Sequence, residues 1–316
     1  MRLRRLALVG AIVLAGIWLG LCAFAGITAS EWALHPARRP LSEQDSALAL
    51  RLSQQTGAQL QMVSIRSNDG TTLNGWLFKP VQWNGDAIIL LHGQSDNRAG
   101  VLGPADMLLR HGYAALLPDA RAHGASGGAI ATYGVLERDD IRNWFNWLKQ
   151  TQNPHCIDGL GDSMGAAQLL QSLAVEPEFC AVVAESPFAS FREAAYDRMG
   201  QQLGTGAWAG RTLLWPAVET GLLYVRTKYG VDLRQASPRE AVEHSHVPVL
   251  LIHGLKDDNL PPRHSEMILR ASHGNVSLWE PANANHVGAS SANPQEYEQR
   301  VLDWLKIHGT PEGKYK

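Results

Sequence analysis

A chain of 316 residues, 45% hydrophobic and 18% charged, is long enough for one large α/β domain or two small ones, and that balance excludes general disorder. The formal charge is −2 and three of the cations fall within the first five residues, so the remainder offers no positive field to hold nucleic acid. The cysteines, Cys22, Cys156 and Cys180, have no C-x-x-C spacing, which argues against a disulfide-framework mini-protein and against a thiolate zinc site.

The first element, residues 1–29, stands apart. Arg2, Arg4 and Arg5 precede Leu6 to Ala29, 24 residues without a charge. As a helix that run spans about 36 Å, against a bilayer core of about 30 Å. Arginines on the N-terminal flank favour keeping that end in the cytoplasm and the rest outside it. The competing reading is a cleaved signal peptide, because Ala23-Phe24-Ala25 is an A-x-A site placed after the apolar run. A lipoprotein signal fits less well, since Leu21 occupies the position before Cys22 where a small residue is expected, and Arg4-Arg5 as a twin-arginine signal fits less well still. Apolar length prefers the retained anchor, and both readings export the domain.

Residues 30–60, with Pro36 and Pro40, read as a linker and a short helix. A single large domain is expected over 61–310, followed by a polar tail at 311–316. Met62 to Ile65 and Leu73 to Phe78, separated by Asn68-Asp69-Gly70, predict a hairpin. Beyond it come six strand-length apolar runs: Ala87 to Leu91, Ala114 to Leu117, Cys156 to Leu160, Ala181 to Ala184, Val249 to Ile252 and Val276 to Trp279. Helical stretches separate them, the pattern of a mostly parallel sheet covered on both faces. Such crossovers place chemistry at the C-terminal ends of the strands.

Immediately after the run at Cys156 stands Gly161-Asp162-Ser163-Met164-Gly165, a G-x-S-x-G motif. Its glycines allow a strand to turn sharply into a helix so that the serine hydroxyl projects above the sheet. In a chain with 30 glycines the pattern alone is weak, and Gly124-Ala125-Ser126-Gly127-Gly128 matches it as well. Context separates the two. Ser126 is followed by a glycine pair where a helix should start, and the preceding strand has ended well before it. Ser163 follows a strand directly and leads into Ala166 to Val175, a good helix former.

A serine nucleophile needs an imidazole base and a carboxylate to orient it, in the chain order serine, acid, histidine for this kind of turn. Of the twelve histidines, His264, His273, His286 and His308 come late enough. Asp257 and Asp258 both follow the run Val249 to Ile252, and His286 lies in a loop beyond the run at Val276. His264 is too close to the aspartates to come from the next strand; it, His273 and His308 read as solvated polar side chains. For the developing oxyanion, the backbone N–H of Met164 is one expected donor. The N–H of Gln94, in the turn His92-Gly93-Gln94 after the run at Ala87, is the second. His92 itself reads as structural.

Taken together, Leu90-Leu91-His92-Gly93, Asp119-Ala120-Arg121-Ala122-His123-Gly124-Ala125-Ser126, the Ser163 motif, His253-Gly254-Leu255-Lys256-Asp257-Asp258-Asn259-Leu260-Pro261 and the late His286 resemble the α/β-hydrolase superfamily over about residues 62–308. Within it they are similar to membrane-anchored bacterial esterase-like members related to the prolyl-oligopeptidase and Bem-type branches. The resemblance implies an α/β-hydrolase fold with a mostly parallel central sheet, helices on both faces, a helical cap and a preceding apolar helix. Of the two aspartates, it places the acid on Asp257, giving Ser163, Asp257 and His286 as the triad. It also implies that Asp119 and Arg121 tie a loop and that Ser126 is not catalytic. Ala166 departs from the family, where a further glycine is common.

By the same analogy residues 188–240 form the cap, whose Trp208, Trp215, Leu222, Leu223 and Tyr224 either line an acyl pocket or pack the cap onto the core. Cys156 and Cys180 each precede a strand, and in the resembled fold those strands are adjacent, so a disulfide and two buried free thiols are both open. The function implied is hydrolysis of carboxylic esters or thioesters through an acyl-enzyme, on a small acyl substrate, with no metal or organic cofactor. A peptidase of the oligopeptidase branch and a catalytically silent binding protein are the alternatives.

Overall fold

The computed structural model describes residues 2–309, so the tail at 311–316 lies outside the described residues. In chain order its elements are α1 (Arg2–Leu34), α2 (Glu43–Thr56), β1 (Gln59–Arg66), β2 (Thr72–Lys79), β3 (Ala87–Leu91), α3 (Leu102–Arg110), β4 (Ala114–Pro118), α4 (Glu137–Gln152), β5 (Ile157–Asp162) and α5 (Met164–Ser172). There follow β6 (Val182–Glu185), α6 (Phe191–Gln202), α7 (Ala207–Arg211), α8 (Trp215–Tyr229), α9 (Pro238–Glu243), β7 (Val249–Ile252), α10 (Arg263–Ala271), β8 (Val276–Trp279), α11 (Ala289–Ala292) and α12 (Pro294–His308). They fall into two compact units, one of residues 36–190 and 236–309, the other of residues 2–35 and 191–235.

In the larger unit all eight strands form one sheet, ordered β1-β2-β4-β3-β5-β6-β7-β8. β1, β2 and β4 pair antiparallel, and β4, β3, β5, β6, β7 and β8 run parallel. Every residue of β3, β4, β6 and β7 is buried, as expected where helices cover both faces and the strands read as unbroken apolar runs. Alternate residues divide between two cores. Ile88 and Leu90 pack with α2, α3 and α12. Ala87, Ile89 and Leu91 pack with α4, α5, α9 and α10. α2 starts at a capping box in which Ser42 accepts from the Asp45 N–H at 3.0 Å and Asp45 accepts from the Ser42 N–H at 2.9 Å. Cys156 and Cys180, just before β5 and β6, form a disulfide with Cα atoms 5.9 Å apart, deciding between the two states left open above.

The smaller unit joins α1 to α6, α7 and α8. The apolar helix does not end near Ala29 but continues to Leu34; its last turns pack against α8 at Gly26 and Ser30, and Cys22, Gly26 and Leu34 are buried. The segment expected as linker therefore begins inside a helix. Of the five large residues singled out in the cap, Trp208, Trp215 and Leu223 are exposed and only Leu222 is buried. Packing is thus not the role of those three.

Candidate active site

β5, β7 and β8 deliver the chemistry from their C-terminal ends. β5 stops at Asp162, and Ser163 follows with φ 53° and ψ −111°, a backbone conformation costly for a residue with a Cβ. The crowding around it explains the flanking glycines. A Cβ on Gly165 would lie 2.5 Å from the Leu91 carbonyl oxygen and one on Gly161 2.7 Å from the Ala166 nitrogen, so strand and helix approach too closely there for any side chain.

The hydroxyl so presented meets its expected partners. His286 Nε2 is 2.8 Å from Ser163 Oγ, and His286 Nδ1 is 2.7 Å from Asp257 Oδ2. A carboxylate on Nδ1 holds the proton there and leaves Nε2 free to accept from the hydroxyl. Asp257 is buried and well supplied: its Oδ1 accepts from the Asn259 and Leu260 N–H groups at 3.0 and 2.8 Å, and its Oδ2 lies 3.2 Å from His253 Nε2. Burial alone would raise its pKa, but the hydrogen bonds from His253 and His286 outweigh it and hold the carboxyl well below its usual range.

The histidine loop is fastened from below. Ser186, itself at φ 51°, accepts from the Val287 N–H at 3.3 Å, and Glu185 accepts from the Ala289 N–H at 2.9 Å. Val287 also has positive φ, 52°, so three strained residues with side chains, Ser163, Ser186 and Val287, gather at one place. Glu185 pairs in register with Asp162 on the neighbouring strand. Burial raises both carboxyls well above the ordinary range, helped next by the charge of Asp96 at Asp162 and by the charge of Asp162 at Glu185.

Of the two expected oxyanion donors, Met164 follows Ser163 in the chain and Gln94 lies in the neighbouring turn. Met164 is the first residue of α5, where a backbone N–H has no acceptor within the helix. Gly93 runs beside Ser163, 3.8 Å from its Cβ measured from the ideal Cβ position of the glycine, which brings the Gln94 turn alongside. That turn is held by buried His92, whose Nδ1 lies 2.8 Å from the Gly93 oxygen while Nε2 accepts from the Ala120 N–H at 3.1 Å. Burial and then neighbouring His123 push the His92 pKa down to about 4, so it stays neutral at physiological pH.

The other candidates fall outside this arrangement. Ser126 is buried, donating to the Asp119 oxygen at 2.8 Å and accepting from the Asn74 N–H at 2.9 Å. Asp119 accepts from Arg98 and from the Ala125 N–H, and Arg121 pairs with Asp140 and Asp69, so both tie loops as expected. His264 corrects an expectation: far from solvated, it is buried, its Nδ1 accepting from the Ala189 N–H at 3.1 Å. His253 is the residue that sequence reasoning left without a role. Its signal is a histidine-glycine pair closing a strand, His253-Gly254 after β7, as His92-Gly93 closes β3. Among the described residues one group of metal-type donors lies close together, Cys156, Asp158 and Cys180, and two of those three are bridged.

The family model for the alpha/beta hydrolase family matches residues 88–300, more than half of the chain. The chain is 28% identical over 223 residues to the uncharacterized protein YqkD of Bacillus subtilis, covering 70% of this chain and 71% of that one. It is 24% identical over 254 residues to the uncharacterized protein YfhR of Escherichia coli, covering 78% and 80%. Among solved structures, an esterase of Pyrococcus furiosus superposes with TM-score 0.65 at 25% identity over 81% of this chain and 94% of its own. An acylaminoacyl peptidase of Pyrococcus horikoshii superposes with TM-score 0.59 at 16% identity over 82% of this chain and 42% of its own, a likeness of fold. The expected α/β-hydrolase fold is thus the observed one.

Proposed function

We propose that this chain, which belongs to the alpha/beta hydrolase family, is a serine hydrolase that cleaves carboxylic esters through an acyl-enzyme, with Ser163 as nucleophile, His286 as base and Asp257 as its orienting acid. The observation that carries it is the continuous hydrogen-bonded path from Ser163 Oγ through His286 to Asp257. In the proposed reaction His286 Nε2 takes the hydroxyl proton while Ser163 Oγ bonds to the ester carbonyl carbon. The carbonyl oxygen, now negative, is stabilised by the N–H groups of Gln94 and Met164. Collapse breaks the bond to the alcohol, which leaves with the proton from His286. Water then repeats the sequence on the acyl-enzyme and frees the acid.

Ester rather than amide cleavage is favoured by the likeness to the Pyrococcus furiosus esterase over nearly the whole of that protein, whereas the peptidase is matched over less than half. An exported, membrane-anchored domain accounts for two further features. α1 passes through the Ala23-Phe24-Ala25 site without a break, and disulfides such as Cys156–Cys180 persist in oxidising compartments.

A fluorophosphonate probe tests the nucleophile. The native chain should be labelled and Ser163→Ala should not, and label that persists in Ser163→Ala overturns the assignment. Turnover of p-nitrophenyl esters of increasing chain length, beside peptide amides of matched size, then tests the bond class. Faster turnover of the amides would reverse the preference.

A further inference from the structure

α1 touches the rest of its unit only near its end. Residues 2–21 are exposed, whereas Cys22, Gly26 and Leu34 are buried, Cys22 and Gly26 one turn apart against Ala217 of α8. The approach is close. A Cβ on Gly26 would lie 2.0 Å from the Ala217 oxygen, and one on Gly221 would lie 2.5 Å from Ser30 Oγ. Contacts advance together along both helices, from Gly26 with Ala217, through Ser30 with Gly221, to Glu31 with Tyr224, Lys228 and Tyr229. The two helices therefore run parallel, with Trp215 near the level of Phe24 and Gly221 near that of Ser30.

This helix pair is polarised along its length. At its far end Glu31 accepts from Tyr224, Lys228 and Tyr229 at 2.6, 2.8 and 2.9 Å, a charged and hydroxyl-rich cluster. At the opposite end Trp215, and Leu213 and Trp208 before it in the chain, are 50%, 54% and 65% exposed, an aromatic and aliphatic group half or more of whose surface faces outward. Counting from Leu6, a hydrocarbon layer of about 30 Å consumes about 20 residues of helix and ends near Ala25. That is the level at which Gly26 meets Ala217. Trp215 precedes Ala217 by two residues on a parallel helix and so falls just inside the same boundary, the depth at which tryptophan is enriched in membrane proteins.

We propose that the surface formed by Trp208, Leu213 and Trp215 inserts into the lipid bilayer at the headgroup and acyl boundary of the leaflet from which α1 emerges. The partner is phospholipid, and the inserted surface fixes the smaller unit in the membrane plane in addition to the single helix. It rests on α1 being a retained bilayer span.

The test uses the full chain in phosphatidylcholine vesicles with Cys22 replaced by Ala and the disulfide intact. A nitroxide is placed in turn through Trp208→Cys, Leu213→Cys and Trp215→Cys, through Leu14→Cys inside α1, and through Val81→Cys, an exposed position of the other unit. The readout is relaxation by oxygen, which concentrates in lipid, against a water-soluble nickel chelate. Oxygen should dominate at Leu14 and, more shallowly, at the three surface positions, while the chelate dominates at Val81. If Leu14 lies in lipid and the three positions behave as Val81 does, the inserted surface is refuted and the anchor stands. If Leu14 also behaves as Val81 does, the anchor fails and the inserted surface with it.

Discussion

Asp257 differs from its neighbour Asp258 in what surrounds it. Two backbone N–H groups, His253 and His286 all converge on the Asp257 carboxylate. Replacing it with asparagine would put either an amide oxygen or an NH2 toward His286 Nδ1, and in the second case the imidazole proton moves to Nε2, where it can no longer accept from Ser163. Asp257→Asn should therefore lower kcat by about 10³ to 10⁴-fold with little loss of stability, whereas Asp258→Asn should leave ester turnover within about threefold. Steady-state kinetics with thermal melts on both variants check this. Equal losses in the two would place the acid wrongly. His253 acts on the same carboxylate from the other side. Its Nδ1 lies 2.7 Å from Ser265 Oγ and its Nε2 2.8 Å from the Leu260 oxygen, so the ring is held at both nitrogens.

At the scale of elements, the sharp joint between β5 and α5 depends on the absence of a side chain at position 165. Gly165→Ala sets a methyl against backbone oxygens of Leu91 and His92 at 2.5 and 2.6 Å, neither of which belongs to a flexible side chain. The expected outcome is destabilisation by more than about 2 kcal/mol, with loss of fluorophosphonate labelling. The same joint is braced at the opposite ends of β5 and β6 by the Cys156–Cys180 bridge. With the cysteines 24 positions apart in sequence, its chain-entropy contribution is about 3.5 kcal/mol. Cys156→Ser with Cys180→Ser should lower the urea midpoint accordingly while leaving kcat nearly unchanged, since the bridge lies away from the catalytic ends.

These same elements show what is legible in the chain and what is not. Strands buried on both faces are written as uninterrupted apolar runs, so β3, β7 and β8 match their expected bounds and β4, β5 and β6 shift by one or two residues. The hydrogen-bonded set of Ser163, His286 and Asp257 follows because each of them stands beyond one of those runs. His264 and His253 escape because the partner of a buried histidine is chosen by loops distant in sequence, Ala189 in one case and Leu260 with Ser265 in the other. The exposure of Trp208 and Trp215 escapes for a related reason. Apolar side chains on a helix announce a buried face without saying whether protein or lipid covers it.

For the whole molecule, buried ionisable groups set how stability responds to pH. His92 is neutral when folded, its pKa near 4 against 6.5 unfolded, so between those values the unfolded chain binds more protons and stability is lost as pH falls. Asp162 and Glu185 act oppositely. Their folded pKa values lie above the unfolded ones, so the folded chain binds more protons and stability is lost as pH rises toward about 8. Asp158, wholly buried, adds to that second trend. Below about pH 6.5 the histidine offsets part of the carboxylate contribution, but between about pH 6.5 and 8 only the carboxylates remain and unfolding should become easier. Each proton retained by the pair corresponds to a slope of about 1.4 kcal/mol per pH unit. Glu185→Gln keeps an oxygen to accept from the Ala289 N–H and removes the titrating proton, so its urea midpoint should decline less over that interval. Urea titrations in detergent at pH 6.5, 7.25 and 8 measure this. A decline as steep in Glu185→Gln and in Asp162→Asn as in the native chain would mean that the pair is already ionised when folded, and that the histidine loop rests on a charged carboxylate.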